Sequence, residues 1–278
     1  MKNSQLNSPK SDSVIFCLTR GYSGLQKYRY LKLILRNHLI SKALKSTNKT
    51  FDSVIFHEGN ISRLDQFLIK LFSLNFQIKF KVISNYFENY LSSSAPNIAG
   101  SSLGYIMMCR FQYGKVWEYL KVYEIVVRVD DDCFISEIPI LKENQIFVCA
   151  GISEENHQGT NESFFNYLET LKLENFYDHK FPYTNLYATR NSFWQQESVK
   201  IFLDRILDDP KSLSHRWGDL PVIGVALKAF GDWQYNENIL LNFNYNHYSH
   251  RSLVLNGDID YKTMNKFRVL LKSIKLLF

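Results

Sequence analysis

An α/β fold around a mostly parallel sheet is the class this 278-residue sequence predicts, and three observations carry it. Short apolar runs rich in β-branched and aromatic residues recur along the chain, as strands buried on both faces require. Helical patterns lie between them. One of the runs ends in three consecutive aspartates, at the kind of place where such sheets gather their ligands, beyond the carboxyl ends of the strands.

In chain order the strand-like runs are Ser13–Leu18, Ser53–His57, Ile78–Ile83, Glu124–Val129 and Ile146–Ala150. Leu25–Leu39 reads as a helix because Leu25, Tyr28, Leu31, Ile34, Leu35 and Leu39 recur at helical spacing. Arg63–Leu74 follows the second strand as a helix, and Leu103–Leu120 precedes the fourth. Polar residues 1–12 read as a disordered tail, and Leu91–Ser102 and Glu154–Glu162 as loose segments. With no internal repeat and no low-complexity linker, residues 13–278 read as a single domain.

Hydrophobic residues at 45% and charged residues at 22% exclude a wholly disordered chain, a collagen and a small disulfide scaffold. The four cysteines form no Cys-x-x-Cys pair and sit in apolar sequence, so they read as buried thiols of a reducing compartment. The net charge of +6 is diffuse; it suits a phosphorylated ligand and does not call for nucleic acid. No apolar stretch approaches the roughly 20 residues that span a bilayer, and the first residues have no apolar centre of a secretory signal. The expected location is cytoplasmic.

The most informative stretch is Glu124-Ile-Val-Val-Arg-Val-Asp-Asp-Asp-Cys-Phe-Ile135. Three adjacent negative charges repel one another at a strand end unless a cation offsets them. Extended geometry would send Asp130 and Asp132 to one side and Asp131 to the other. Two hard oxygen ligands on one side suit Mn²⁺ or Mg²⁺, especially with a diphosphate completing the coordination. A solvated acidic loop is the plain alternative.

Beyond this motif, Tyr105-Ile-Met-Met-Cys-Arg-Phe111, Arg128-Val-Asp-Asp-Asp132, Arg216-Trp-Gly-Asp-Leu-Pro221 and Tyr245-Asn-His247 follow one another in the chain. In order and approximate spacing this set resembles glycosyltransferase family 15, the fungal Golgi α-1,2-mannosyltransferases, over residues 13–250. The resemblance implies a GT-A nucleotide-diphospho-sugar transferase fold, its central sheet mostly parallel and flanked by helices. It also implies GDP-mannose as donor, Mn²⁺ as cofactor, a glycan or glycolipid acceptor and retention at the anomeric carbon. Carried across by residue, it gives Asp130, Asp132 and His247 as metal ligands. Arg20, Tyr105, Arg110 and Asp130 fall beside the donor, and Asp219 faces the acceptor. The place of the family's candidate nucleophile, a Glu, falls on Tyr187 in Tyr183-Thr-Asn-Leu-Tyr187. A tyrosine, with an ordinary pKa near 10, is a poor nucleophile at neutral pH. Another carboxylate would then serve, or the reaction would pass through a short-lived ion pair.

Each residue also has a plain reading. His247 could be a hydrogen-bonded loop histidine, with His250 as a competing ligand. Asp219 could cap a helix opening at Pro221. Tyr105 could be core packing, and Arg128 and Arg110 could pair with internal carboxylates. Trp217 reads as structural. A metal-dependent hexosyltransferase is the leading expectation; a phosphoesterase and a degenerate nucleotide- or glycan-binding protein are the alternatives. Finally, residues 262–278 carry five Lys or Arg and no acid, with apolar residues at helical spacing. That segment reads as a basic amphipathic helix that either packs on the domain or touches a membrane peripherally.

Overall fold

The computed structural model describes residues 11–47, 49–73, 76–84, 86–87, 101–231, 233, 245–247 and 254–255. The expected tail (apart from Ser11 and Asp12), most of the loose segment 91–102, His250 and the basic segment 262–278 lie outside the described residues.

β1 (Ser13–Thr19), α1 (Tyr30–Lys45), β2 (Asp52–His57), α2 (Arg63–Phe72) and β3 (Ile78–Val82) alternate through the first third of the chain. α3 (Leu103–Arg110) continues through a π-helical turn, Phe111–Lys115, into α4 (Val116–Leu120). β4 (Ile125–Val129) then enters the sheet, followed by β5 (Cys133–Ile135), β6 (Phe147–Cys149) and β7 (Ile152–Glu154). The remainder comprises α5 (Gln158–Leu171), β8 (Lys180–Pro182), β9 (Leu186–Arg190), α6 (Asn191–Trp194), α7 (Glu197–Asp208), α8 (Lys211–Ser214), α9 (Asp219–Gly231), β10 (Tyr245–His247) and β11 (Val254–Leu255).

Six strands form the central sheet in the order β3-β2-β1-β4-β9-β6. β3, β2, β1 and β4 are parallel, while β9 runs antiparallel between β4 and β6. The five sequence-derived strands are all present, close to their expected limits. β9 was missed because Leu186–Arg190 mixes apolar and polar residues and directly abuts the short α6. The helix expected from Leu25 starts as a 3₁₀ segment, Gly24–Arg29, before α1 proper. Ser11 and Asp12 are not a loose tail. Ser11 Oγ donates to the Thr50 carbonyl at 2.5 Å, and the Asp12 carbonyl accepts from the Glu124 amide at 2.7 Å.

Alternation along the strands divides the core into two layers. Val14, Phe16, Val54, Phe56 and Val126 pack beneath α3, α4, α7 and α9, with Trp117, Trp194 and Trp217 filling the space between. Ile15, Cys17, Ile55, Val127 and Val129 face the other way, onto Tyr30, Leu33 and Ile40 of α1. Burial pushes the Cys17 thiol up to about 12, so it packs as an inert apolar group. Among the described residues no helix is long and apolar enough to cross a membrane.

His57 closes β2 almost wholly buried, with its Nδ1 accepting from the Gly59 amide at 3.2 Å. Burial holds its imidazole below the ordinary histidine range. The unfolded chain therefore binds a proton there as pH falls through about 6.5, while the folded chain does not. Stability contributed at this position is present above that pH and is lost as pH falls below it. Urea midpoints for the wild type should drop between pH 7.5 and pH 5.5, and His57→Gln should show a smaller drop; equal slopes would contradict this origin.

Candidate active site

β4 delivers the acidic triple to the centre of the sheet's carboxyl edge, directly beside the end of β1. The chain does not stay extended there. The Cys133 amide donates to the Asp130 carbonyl at 3.1 Å, so residues 130–133 form a turn, and the expected alternation of the three carboxylates is lost. The turn sends each acid to a different partner. Asp130 accepts from Arg128 Nε at 2.7 Å and Nη2 at 3.1 Å. Asp131, expected to point away, accepts from Thr19 Oγ1 at 2.5 Å. Asp132 Oδ1 lies 2.9 Å from His247 Nε2.

Arg128 occupies the face of β4 that looks toward α9. Its side chain is 2% exposed, and its Nη1 donates to Asp219 Oδ2 at 2.5 Å in the first turn of that helix. One guanidinium therefore joins Asp130 to Asp219. Burial works against its charge, but the two carboxylates outweigh that and hold its pKa well above the ordinary arginine value. Burial raises Asp130, and Arg128 partly counters the rise. Burial also lifts Asp131 to about 6, against the hydrogen bond from Thr19. On the opposite face Arg36 of α1 is fully buried and donates to the Val129 carbonyl at 2.7 Å and 3.0 Å. It places a second fixed cation beneath the acidic turn. Sequence reading missed Arg36, because an arginine within an amphipathic helix carries no mark of facing inward.

His247 reaches the turn through strand pairing: β10 runs antiparallel to β5 with His247 opposite Cys133. Because β5 starts where the acidic turn ends, this register fixes the histidine against Asp132. Tyr183 Oη lies 3.0 Å from His247 Nδ1, and Asn185 Nδ2 3.1 Å from Nε2. Asp132, Cys133 and His247 offer ligand atoms within 4.8 Å of one another. A carboxylate and an imidazole, with a thiol behind them, form a donor set that fits a divalent transition ion. A metal at Nε2 requires the ring proton on Nδ1, where the Tyr183 oxygen can accept it. In the sequence Tyr183 and Asn185 bear no mark of this role, which only the tertiary placement of His247 creates.

The other expected site residues divide. Asp219 and Tyr105 line one cleft of about 490 Å³ together with Glu154, Glu155, His157 and Arg216. The Arg216 guanidinium lies 5.5 Å from the centre of the Tyr105 ring. Arg20 follows the end of β1 and stacks on Tyr22 at 5.5 Å, on the same carboxyl edge as the acidic turn. Tyr187 is fully buried on β9, opposite Arg128 in register and stacked on Phe147 at 5.0 Å. Burial pushes its phenol far above the ordinary value. Arg110 takes a different course: it is buried against α7 and α8, donating to Ser212 Oγ and, at 2.6 Å, to the Leu207 carbonyl. That environment is a structural one. Trp217, as expected, is core, its Nε1 donating to Ser163 Oγ at 3.2 Å.

A six-stranded sheet with one reversed strand, an acidic turn at the carboxyl end of its central strand and a returning C-terminal histidine define the GT-A class of fold, which this chain has. Solved structures bear this out. Core-mannan synthase A (CmsA/Ktr4) of Aspergillus fumigatus, in its Mn/GDP form, superposes with a TM-score of 0.62 at 12% identity, covering 90% of this chain and 81% of its own. The mannosyltransferase Ktr4p of S. cerevisiae in complex with GDP gives 0.62 at 14% identity, covering 88% and 76%. The galactosyltransferase LgtC, with donor and acceptor sugar analogues, gives 0.52 at 12% identity, covering 93% and 95%. The resemblance to fungal mannosyltransferases thus extends to the backbone. No protein-family model and no curated protein sequence matches the chain.

Removing the Arg128 charge strands the buried Asp219 and the half-buried Asp130. Arg128→Met should cost about 3–5 kcal/mol of stability, the scale for breaking a buried pair by deleting one partner. Arg128→Met combined with Asp219→Leu should recover part of that loss in urea unfolding; no recovery would remove the ion pair as the cause.

Proposed function

We propose that this protein is a metal-dependent glycosyltransferase that moves a hexose, mannose from GDP-mannose first among candidates, onto a glycan or glycolipid acceptor. The observation that carries the reading is the convergence of Asp132 and His247, 115 positions apart, at the carboxyl edge of a GT-A sheet. Asp132 and His247 would hold Mn²⁺ or Mg²⁺, with Asp130 alongside. A bound cation there would neutralise the charge that develops on a leaving nucleoside diphosphate. Tyr183 and Asn185 fix the histidine ring, and Arg128 fixes Asp130. Arg20 lies where it can meet the donor's phosphates. The fold shared with a Mn/GDP-form synthase and a GDP complex supports this choice of metal and base.

The cleft beside the acids suits the acceptor. Its wall combines the Tyr105 ring, which can lie against a sugar face, with Asp219, Glu154 and Glu155, which can accept from sugar hydroxyls. Asp219 is tied to Arg128 and is the carboxylate we assign to the acceptor hydroxyl. Tyr187 is buried and its phenol is held protonated, so it does not serve as a nucleophile. Transfer then forms no covalent intermediate on residue 187 and passes through a short-lived ion pair or uses another carboxylate. The same tyrosine favours a second reading, a degenerate transferase that binds donor without turning it over; release of free GDP from the donor separates the two.

A thermal-shift panel of GDP, UDP, ADP and CDP with and without Mn²⁺ should show one strong stabilisation, by GDP with Mn²⁺. Asp132→Ala and His247→Ala should each abolish the metal-dependent part of it. Stabilisation by every diphosphate, or by none, would set the GDP-mannose reading aside. In the transfer reaction Asp219→Asn should lower kcat/KM about a hundredfold or more, through lost acceptor orientation. Tyr187→Phe should stay within about tenfold of wild type, and a larger loss would return residue 187 to the chemistry.

A further inference from the structure

α2 is amphipathic the wrong way round. Its inward face is made by Asp65 and Ile69, both buried, with Gln66 beside them. Its apolar stripe looks outward: Leu64 is 64% exposed, Phe67 59%, Leu68 37%, Leu71 55% and Phe72 57%. These positions follow the i, i+3, i+4, i+7, i+8 spacing of one helix face. Such a stripe on a soluble domain marks a docking surface. Val82 at the end of β3, 49% exposed, is a further outward apolar residue on the neighbouring edge strand of the central sheet.

The charges around the stripe select its partner. Both exposed charged residues of α2, Arg63 and Lys70, are basic and lie along the same border of the stripe. The helix's one acid, Asp65, is turned inward, held by Ser62 and paired with Lys27 at 2.9 Å. A second copy of this face packed antiparallel would bring Arg63 of one copy beside Lys70 of the other. The chain's own segment 262–278, which carries five basic residues and no acid, would likewise bring like charges together. A surface that is apolar below and negatively charged above is complementary to both features, and an anionic bilayer is such a surface.

We propose that the outward stripe of α2, bordered by Arg63 and Lys70, docks this protein peripherally on anionic lipid bilayers. The helix starts from the loop Glu58–Ile61, where Asn60 Oδ1 accepts from the Gly21 amide at 2.7 Å in the loop that carries Arg20. The docking does not depend on the transferase reading.

The test is flotation of the full chain with vesicles of phosphatidylcholine alone or with about a third phosphatidylserine, at low and high salt. The wild type should float with the anionic vesicles at low salt and several-fold less at high salt. Phe67→Ser with Leu71→Ser should reduce flotation at least tenfold, and Lys70→Glu several-fold, with far-ultraviolet circular dichroism unchanged. A Phe67→Trp variant should shift its emission to shorter wavelength on anionic vesicles. Flotation of the double variant equal to wild type overturns the proposal. So does loss of flotation in Leu270→Ser with Leu271→Ser but not in the α2 variant, which would assign the contact to the C-terminal segment. A wild-type dimer in sedimentation velocity that the α2 double variant converts to monomer, without vesicle binding, would assign the face to a second copy and also overturns it.

Discussion

Three carboxylates in a row at the end of a buried strand repel one another, and the surrounding structure is organised around that repulsion. Sharing one partner would leave at least one of them ionised and uncompensated in a low-dielectric place. A turn instead separates them: Asp130 goes to Arg128, Asp131 to Thr19 on β1, and Asp132 to His247 on β10. Arg36, buried beneath the same turn and bound to the Val129 carbonyl, adds positive charge from the other face of the sheet. Each partner comes from a different part of the chain, so the acidic turn also ties together the segments that must meet for a site to exist.

Arg128 is the hinge of that arrangement. Its register position opposite Tyr187 leaves it on the α9 side of β4, within reach of both Asp130 and Asp219. The carboxylate that opens the acidic turn and the carboxylate lining the cleft are thereby held at a fixed separation by one planar, permanently charged group. A lysine could not span both with the same geometry. The arrangement also explains why a helix opens at Asp219: the acid lies in the first turn, where negative charge is favoured, and spends its hydrogen bonding on the guanidinium.

The neighbourhood of residue 187 shows how the core sets the charge balance around Arg128. β9 packs into the sheet with a tyrosine whose ring is stacked on Phe147, and the core accommodates it without displacing Arg128. An ionised carboxylate at that depth would have competed with Asp130 and Asp219 for the same guanidinium. With tyrosine there, Arg128 balances two acids. The neutral, buried phenol leaves Asp130 and Asp219 both paired with Arg128.

Much of this was legible in the residues. The parallel strands were readable because strands buried on both faces are continuous apolar runs, and the acidic triple because no buried strand ends that way without a reason. The motifs around Tyr105, Arg128, Arg216 and Tyr245 resemble those of one transferase family and so imply the same fold. What sequence could not supply was direction. Asp130, Asp131 and Asp132 were expected to alternate as in a strand, and only the turn closed by the Cys133 amide decides that they diverge. The resemblance implies a donor contact for Arg110, whereas helix packing turns it to Ser212 and Leu207. The inward-facing Arg36 and the outward-facing stripe of α2 contradict local pattern outright, because the side of a helix that meets the core is set by the neighbours it docks against. Composition and periodicity fix which elements form; long-range pairings such as β10 on β5 fix which side chains meet, and those pairings depend on contacts more than a hundred residues apart that no local signal encodes.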